Sequence, residues 1–261
     1  MIAYEKNGLK YYCFESFLDA GIKHGFFTRF GGVSPEPFDS LNMATTVGDT
    51  RENVLENLER MFAVFGLDLK TRYDGWQYHT RTVIAADVPR SPSVHYPLRA
   101  DGLITDNPGV TLVQRFGDCV PIIFYDPVKR AVGICHAGWR GTVDNIAAIT
   151  LRSMQRLYGT DPKDVLAGIG PSIGPDHFEV KEDVAEPFRK AFGPDYAKIS
   201  DLSENRIRLD LWEANRILLR RAGVEKIECA EICTVCRKDE WFSHRGDHGK
   251  TGRFGVLITL G

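Results

Sequence analysis

Short apolar strands alternating with amphipathic helices predict an α/β or α+β fold for this 261-residue chain. Two observations carry that reading. Apolar runs bounded by turn residues recur along the chain, and between them lie stretches whose apolar residues return every three or four positions. No internal repeat, low-complexity tract or flexible linker divides the sequence. Residues 1–261 therefore read as a single domain, long enough to bury a large core.

In chain order, residues 23–29 read as a strand. They enter the turn-rich segment Thr28-Arg29-Phe30-Gly31-Gly32-Val33-Ser34-Pro35, where the paired glycines allow positive φ and close approach of backbone to a ligand. A helix is expected to begin at Asp49, with Glu52 completing a capping box. Its stripe is Val54, Leu58, Met61, Phe62 and Phe65, and Gly66 ends it. Residues 111–116, 121–125 and 131–136 read as three strands, with Asp126-Pro127 turning the chain between the last two. One helix is expected over 142–158, with the stripe Val143, Ile146, Ala147, Thr150, Leu151, Met154 and Leu157, closed by Gly159. The loop Gly170-Pro171-Ser172-Ile173-Gly174-Pro175 is rigid and punctuated. Helices are expected over 182–192 and 211–222, the second capped by Asp210 with Glu213. A polar, glycine-rich loop from Phe242 to Arg253 leads into a closing apolar strand, 256–260.

Composition excludes several classes of function. The chain is 43% hydrophobic and 26% charged, as ordinary globular proteins are. A net charge of −2 provides no electrostatic footprint for nucleic acid or an anionic membrane. No apolar run approaches the roughly 20 residues that span a bilayer. The start Met1-Ile2-Ala3-Tyr4-Glu5-Lys6-Asn7 lacks the apolar core of a secretory signal, which predicts a cytoplasmic location. The six cysteines then read as thiols or ligands rather than disulfides.

The chemistry concentrates in Gly133-Ile134-Cys135-His136-Ala137-Gly138-Trp139-Arg140-Gly141, close after Gly117-Asp118-Cys119-Val120-Pro121, with Gln77-Tyr78-His79 further back. His79, Cys119 and His136 make two imidazoles and one thiolate: a tetrahedral zinc set with one position open, as a catalytic zinc requires. Neighbouring strand residues face opposite ways, so only one of Cys135 and His136 can line a shared site. His136 is that residue, and Cys135 is a small core side chain. A bare dyad, with Cys119 as nucleophile and His136 as base, uses the same atoms; His79 favours the metal. Arg140 follows His136 where a strand ends and a helix begins, a place suited to an anion. The pair Cys233-Thr234-Val235-Cys236 is a lone C-x-x-C and reads as structural cysteines.

With these residues assembled, the chain resembles the laccase-domain family, whose members have been called multicopper polyphenol oxidases, peptidoglycan editing factors and purine nucleoside phosphorylases. The segments that carry the resemblance are Thr28 to Ser34 with Ser40-Leu41-Asn42, Val47-Gly48-Asp49, Gln77-Tyr78-His79, Ala100-Asp101-Gly102, Gly117 to Pro121, Cys135 to Gly141, Gly170 to Pro175, Phe242-Ser243-His244-Arg245 and Thr251-Gly252-Arg253. The resemblance implies a single layered domain with central mixed β-sheets and outer helices, similar to the fold of a bacterial toxin deamidase. It places zinc on His79, Cys119 and His136. Tyr78 and Asn57-Leu58 depart from the family pattern, which usually has a small or aliphatic residue and Asn-Arg there.

Seven histidines (His24, His79, His95, His136, His177, His244 and His248) contain no His-x-His pair, which argues against four-copper oxidase chemistry. A single copper in the zinc site remains chemically accessible, because copper outcompetes zinc at most N/S donors. The resemblance favours zinc-dependent phosphorolysis of purine nucleosides: adenosine, inosine or methylthioadenosine, with phosphate as co-substrate. Arg29, Gly31, Asn42, Arg140, Gly141 and Arg245 are the expected substrate-binding residues, and His79, Cys119 and His136 the catalytic ones. Adenosine deamination by metal-activated water fits the same pocket. The alternatives are an amidase that edits amino acids in UDP-muramyl precursors and, outside catalysis, a zinc-stabilised binding module.

Overall fold

A computed structural model of the chain describes residues 1–91 and 97–261; His95 lies outside them. Two six-stranded mixed sheets form its centre. The first runs in the order Ile2–Lys6, Leu9–Cys13, Lys23–Phe27, Phe254–Thr259, Thr111–Phe116, Arg72–Asp74. The second runs Lys226–Cys229, Leu166–Ile169, Val120–Asp126, Ala131–Ala137, Gly102–Thr105, Val83–Ala85. A small third sheet joins Glu179–Val180, Ile207–Leu209 and Ser200–Asp201. The layered α+β architecture expected from the sequence is present.

Strand alternation explains how the layers assemble. Phe26, Leu112, Phe116, Phe254 and Val256 of the first sheet meet Leu103, Ile123, Val132 and Ile134 of the second in a dry inter-sheet core. The alternate residues of the second sheet, Ile122, Phe124, Cys135 and Ala137, face the other way. They pack under Ile146–Tyr158, Glu182–Phe192 and Leu211–Arg221. On the outer face of the first sheet, Leu9, Phe27, Val113 and Leu257 are covered by Val54, Leu58, Met61 and Phe62 of helix Arg51–Val64. Each such large side chain contributes about 1.5–3 kcal/mol by leaving water. Cys135 is fully buried on the helix side, as alternation requires.

Three local expectations are corrected. The cap of Arg51–Val64 is Thr50, whose hydroxyl accepts the Asn53 amide at 3.2 Å. Asp49 is instead drawn inward, accepting Ser34 Oγ at 2.6 Å and Asn42 Nδ2 at 2.8 Å. The helix expected over 142–158 is two: Trp139–Val143 and Ile146–Tyr158. Asn145 adopts φ +59° between them and caps the second by accepting the Ala148 amide at 3.3 Å. Leu157, assigned to the buried stripe, is half exposed at 51%. By contrast, Asp210 caps Leu211–Arg221 through the Glu213 amide at 2.9 Å, as expected.

Candidate metal centre at the end of the inter-sheet layer

The antiparallel pair Val120–Asp126 and Ala131–Ala137 sets the centre. Its register puts Pro121 opposite His136 and Val120 opposite Ala137. His136 therefore points into the inter-sheet layer, where its ring lies 5.6 Å from that of Phe116. Cys119, two residues before Pro121, emerges on the same face just beyond the strand end. His79 arrives from the first half of the chain on a turn with φ +56° and brings its ring centroid to 5.0 Å from that of His136. Cys119 Sγ and His79 Nε2 are 3.9 Å apart, and one donor atom from each of the three residues falls within 4.8 Å of the others. His136 is buried, Cys119 half-buried and His79 exposed, so the cluster opens to solvent on the His79 side.

Two buried carboxylates, neither among the expected site residues, hold this arrangement. Asp101 accepts the amides of Tyr78 (3.2 Å), His79 (3.1 Å) and Thr80 (2.6 Å) and the Thr80 hydroxyl (2.9 Å), fixing the His79 turn. It also lies 2.7 Å from His136 Nδ1. With Nδ1 held by a carboxylate, Nε2 is the nitrogen presented to Cys119 and His79, the familiar outer-shell arrangement of a metal-binding histidine. Asp118, at φ +85°, accepts Thr234 Oγ1 and Ser243 Oγ at 2.7 Å and the Arg245 amide at 2.6 Å, so three distant segments converge beside Cys119.

The electrostatics follow from these contacts. Burial opposes ionisation of Cys119, but the positive charge and hydrogen bond of His136, with a further bond from His79, outweigh it and pull the thiol down to about 6. Burial likewise disfavours charge on His136, but Cys119 and Asp101 push it up to about 9. Burial would raise Asp101, yet its bonds to His136 and Thr80 hold it at about 2. Without a metal, the cluster is thus built to contain a thiolate beside an imidazolium.

The donor set suits a metal of borderline softness. Tetrahedral zinc with Zn–S of about 2.3 Å and Zn–N of about 2.0 Å separates sulfur and nitrogen ligands by about 3.6 Å, close to the Cys119–His79 spacing. Gly138 leaves the space. A Cβ there would sit 3.0 Å from Cys119 Sγ and from His79 Cδ2, inside the cradle. Its φ of −60° is open to any residue, so the requirement for glycine is one of room.

The other expected site residues are dispersed around this centre. Arg140 is exposed, with its guanidinium 4.2 Å over the Trp139 ring. Gly141 is buried, and a Cβ there would meet His136 O at 3.0 Å. Arg245 is exposed and donates to the carbonyls of His177 (3.0 Å) and Glu179 (3.3 Å). Arg29 donates to Asp39 O, Asp39 Oδ2 and Lys238 O and covers Phe242, so its fork ties loops together. Gly31, at φ +89°, is crowded by the chain's own backbone: a Cβ would lie 2.3 Å from Gly8 O. Asn42 is fully buried, bonded to Asp49, Ala44 and the Arg253 amide. Arg253 was not among the expected residues. Its side chain lies against Gly117, 2.9 Å from the position of a Cβ there, and senses the charges of Cys119 and Asp118. The only cue to Asp101 and Asp118 in the sequence was their place in the family segments; Arg253 also stands beside a glycine, as an anion-binding arginine would.

Among the described residues, no helix is long and apolar enough to cross a membrane. The chain is 36% identical over 243 residues to the Bacillus subtilis protein named purine nucleoside phosphorylase YlmD, covering 90% of this chain and 87% of that one. It is 35% identical over 270 residues to a Bacteroides thetaiotaomicron protein named purine nucleoside phosphorylase, covering 98% of each. The crystal structure of YlmD from Geobacillus stearothermophilus superposes with a TM-score of 0.92 at 35% identity, covering 98% of this chain and 97% of that one. The family model described as multi-copper polyphenol oxidoreductase laccase matches residues 23–261. This chain belongs to that laccase-like family.

Proposed function

We propose that the chain acts as one domain, 1–261, and is a purine nucleoside phosphorylase taking adenosine, inosine and methylthioadenosine with inorganic phosphate. The observation that carries the reading is the three-donor cluster of His79, Cys119 and His136, open on one side, in a chain whose relatives bear that name. These three residues would hold zinc, with copper as a competitor for the same donors. When bound, zinc supplies a Lewis acid with one position free for a substrate group. Asp101 keeps the His136 ring oriented and its Nε2 lone pair directed inward. Arg140 and Arg245 would receive phosphate through charge-assisted bonds. Arg29, Gly31 and Asn42 shape surrounding loops, and Gly141 lies in the short helix that follows His136. In the reaction, a phosphate oxygen bonds to the anomeric carbon while the carbon–nitrogen bond to the purine breaks. The bonding pair leaves with the base, which then takes a proton.

The test is a turnover screen on purified protein. Inosine or adenosine should yield free base and ribose 1-phosphate only when phosphate is present, and Arg140→Ala should lower the rate on the order of 100-fold. Conversion of adenosine to inosine without phosphate would establish the deaminase activity. The depressed thiol of Cys119 supports a second reading, nucleophilic cleavage of an amide in a muramyl precursor. Cleavage of a seryl-muramyl amide with nucleosides untouched would replace the phosphorylase by that amidase. Neither reaction, with metal bound, would leave the zinc-stabilised binding module.

A further inference from the structure

A second cluster of possible ligands is tied to Asp118 through Thr234. The lone pair Cys233-x-x-Cys236 is joined in space by Asp176 and His177, which follow the Gly170 to Pro175 loop. One ligand atom from each of the four residues lies within 4.8 Å of all the others. His177 Nδ1 is 3.7 Å from Cys233 Sγ and 3.5 Å from Cys236 Sγ. Asp176 Oδ2 is 3.2 Å from Cys236 Sγ and 3.0 Å from His177 Nδ1. Tetrahedral zinc with bonds of about 2.0–2.3 Å would space such ligands about 3.3–3.8 Å apart, and the four separations above, 3.0–3.7 Å, lie close to that range.

Two further features point the same way. Cys233 Sγ accepts the backbone amides of Gly174 (3.2 Å) and Cys236 (3.4 Å), which fix the position of the sulfur. Gly174 is required to be small: a Cβ there would stand 2.7 Å from Asp176 Oδ1 and 3.2 Å from Cys233 Sγ.

We propose that Asp176, His177, Cys233 and Cys236 form a closed, four-ligand structural zinc site, separate from the His79–Cys119–His136 centre. With all four corners filled by protein it leaves no place for substrate, and its work is to brace. Ser172 already pairs with Cys233 across the two segments. Thr234, between the two cysteines, bonds Asp118, and His177 O accepts from Arg245. The ion would thus lock together the segments that converge on Asp118, the residue preceding Cys119. Loading zinc displaces the two thiol protons to solvent and changes no oxidation state.

The test is metal stoichiometry and thiol protection in the full chain. After zinc loading and desalting, the protein should carry about two zinc ions. His79→Ala/His136→Ala should retain about one, and adding Cys236→Ser to that variant should weaken its zinc affinity at least about 100-fold. Cobalt(II) in the His79→Ala/His136→Ala protein should show the visible bands of a tetrahedral thiolate complex. In the unmutated protein, zinc should shield Cys233 and Cys236 from iodoacetamide, and a chelator should expose both. One zinc ion in the unmutated protein, lost on removal of His79 and His136, would overturn the proposal. So would equal alkylation of Cys236 with and without zinc, or a Cys233–Cys236 disulfide in the zinc-loaded chain.

Discussion

Replacing Asp101 by asparagine tests the construction of the first metal centre most directly. The change keeps shape and removes charge. Asp101 is fully buried, and its two oxygens divide five contacts. Oδ1 takes the His79 amide and His136 Nδ1, while Oδ2 takes the Tyr78 and Thr80 amides and the Thr80 hydroxyl. Whichever position becomes –NH2, it faces at least one backbone N–H that cannot turn away. One or two unmatched donors at about 1–3 kcal/mol each make a loss of about 1–6 kcal/mol. If the amide group lies toward His136, the neutral imidazole must accept at Nδ1 and carry its proton on Nε2, which removes the lone pair a metal would need. Zinc affinity should then fall about 10–100-fold, as for other outer-shell partners of metal-binding histidines. Urea unfolding of chelator-stripped protein measures the first effect, and competition with a chromophoric chelator the second. An Asp101→Asn protein within about 0.5 kcal/mol of the parent, with unchanged zinc affinity, would refute the role given to this carboxylate.

Two further outcomes follow from the glycine of the cradle and from a buried histidine. Gly138→Ala should reduce zinc affinity at least about 10-fold, because its Cβ enters the cradle, while costing about 1 kcal/mol or less in urea as a helix-cap change; equal metal binding by the variant would show that the space is not used. His24 is fully buried, donates from Nδ1 to Ile22 O at 3.0 Å and accepts the Phe14 amide on Nε2 at 2.8 Å, and burial lowers it to about 4. The unfolded chain therefore takes up a proton below about 6.5 that the folded chain refuses. The stability this neutral ring contributes is present above 6.5 and declines as pH falls to about 4, by about 3 kcal/mol in all. Nitrogen NMR should show a neutral His24 at pH 5.5, and a ring that titrates near 6.5 in the folded protein would contradict the assignment.

Local patterns made much of the fold legible before any coordinates. Asp210 and Glu213 marked a helix start that the structure keeps, and strand alternation alone separated His136 from Cys135. Patterns of this range are encoded within a few residues, by caps and by side-chain period. They failed where a neighbour outside the window decided the outcome. Asp49 would serve as a cap by itself, but Ser34 and Asn42 draw its carboxylate inward and leave the cap to Thr50. Asn145 accepts a left-handed conformation that splits one apolar stripe into two helices. The Cys119–His136 pairing could be reasoned from a short hairpin, and His79 joined them as a matching donor type. That Asp101 orders both imidazoles, that Arg29 is tied to Asp39 and Lys238, and that Asp176 and His177 meet Cys233 and Cys236 are facts of strand order and loop convergence. Spacing along the chain carries no trace of them. Cys233 lies 56 positions beyond His177, and their sulfur and nitrogen come within 3.7 Å because the 172 and 233 segments pair side by side. Donor identity belongs to the sequence; the distances that make donors into a site are imposed by the packing of the two sheets and the loops at their ends.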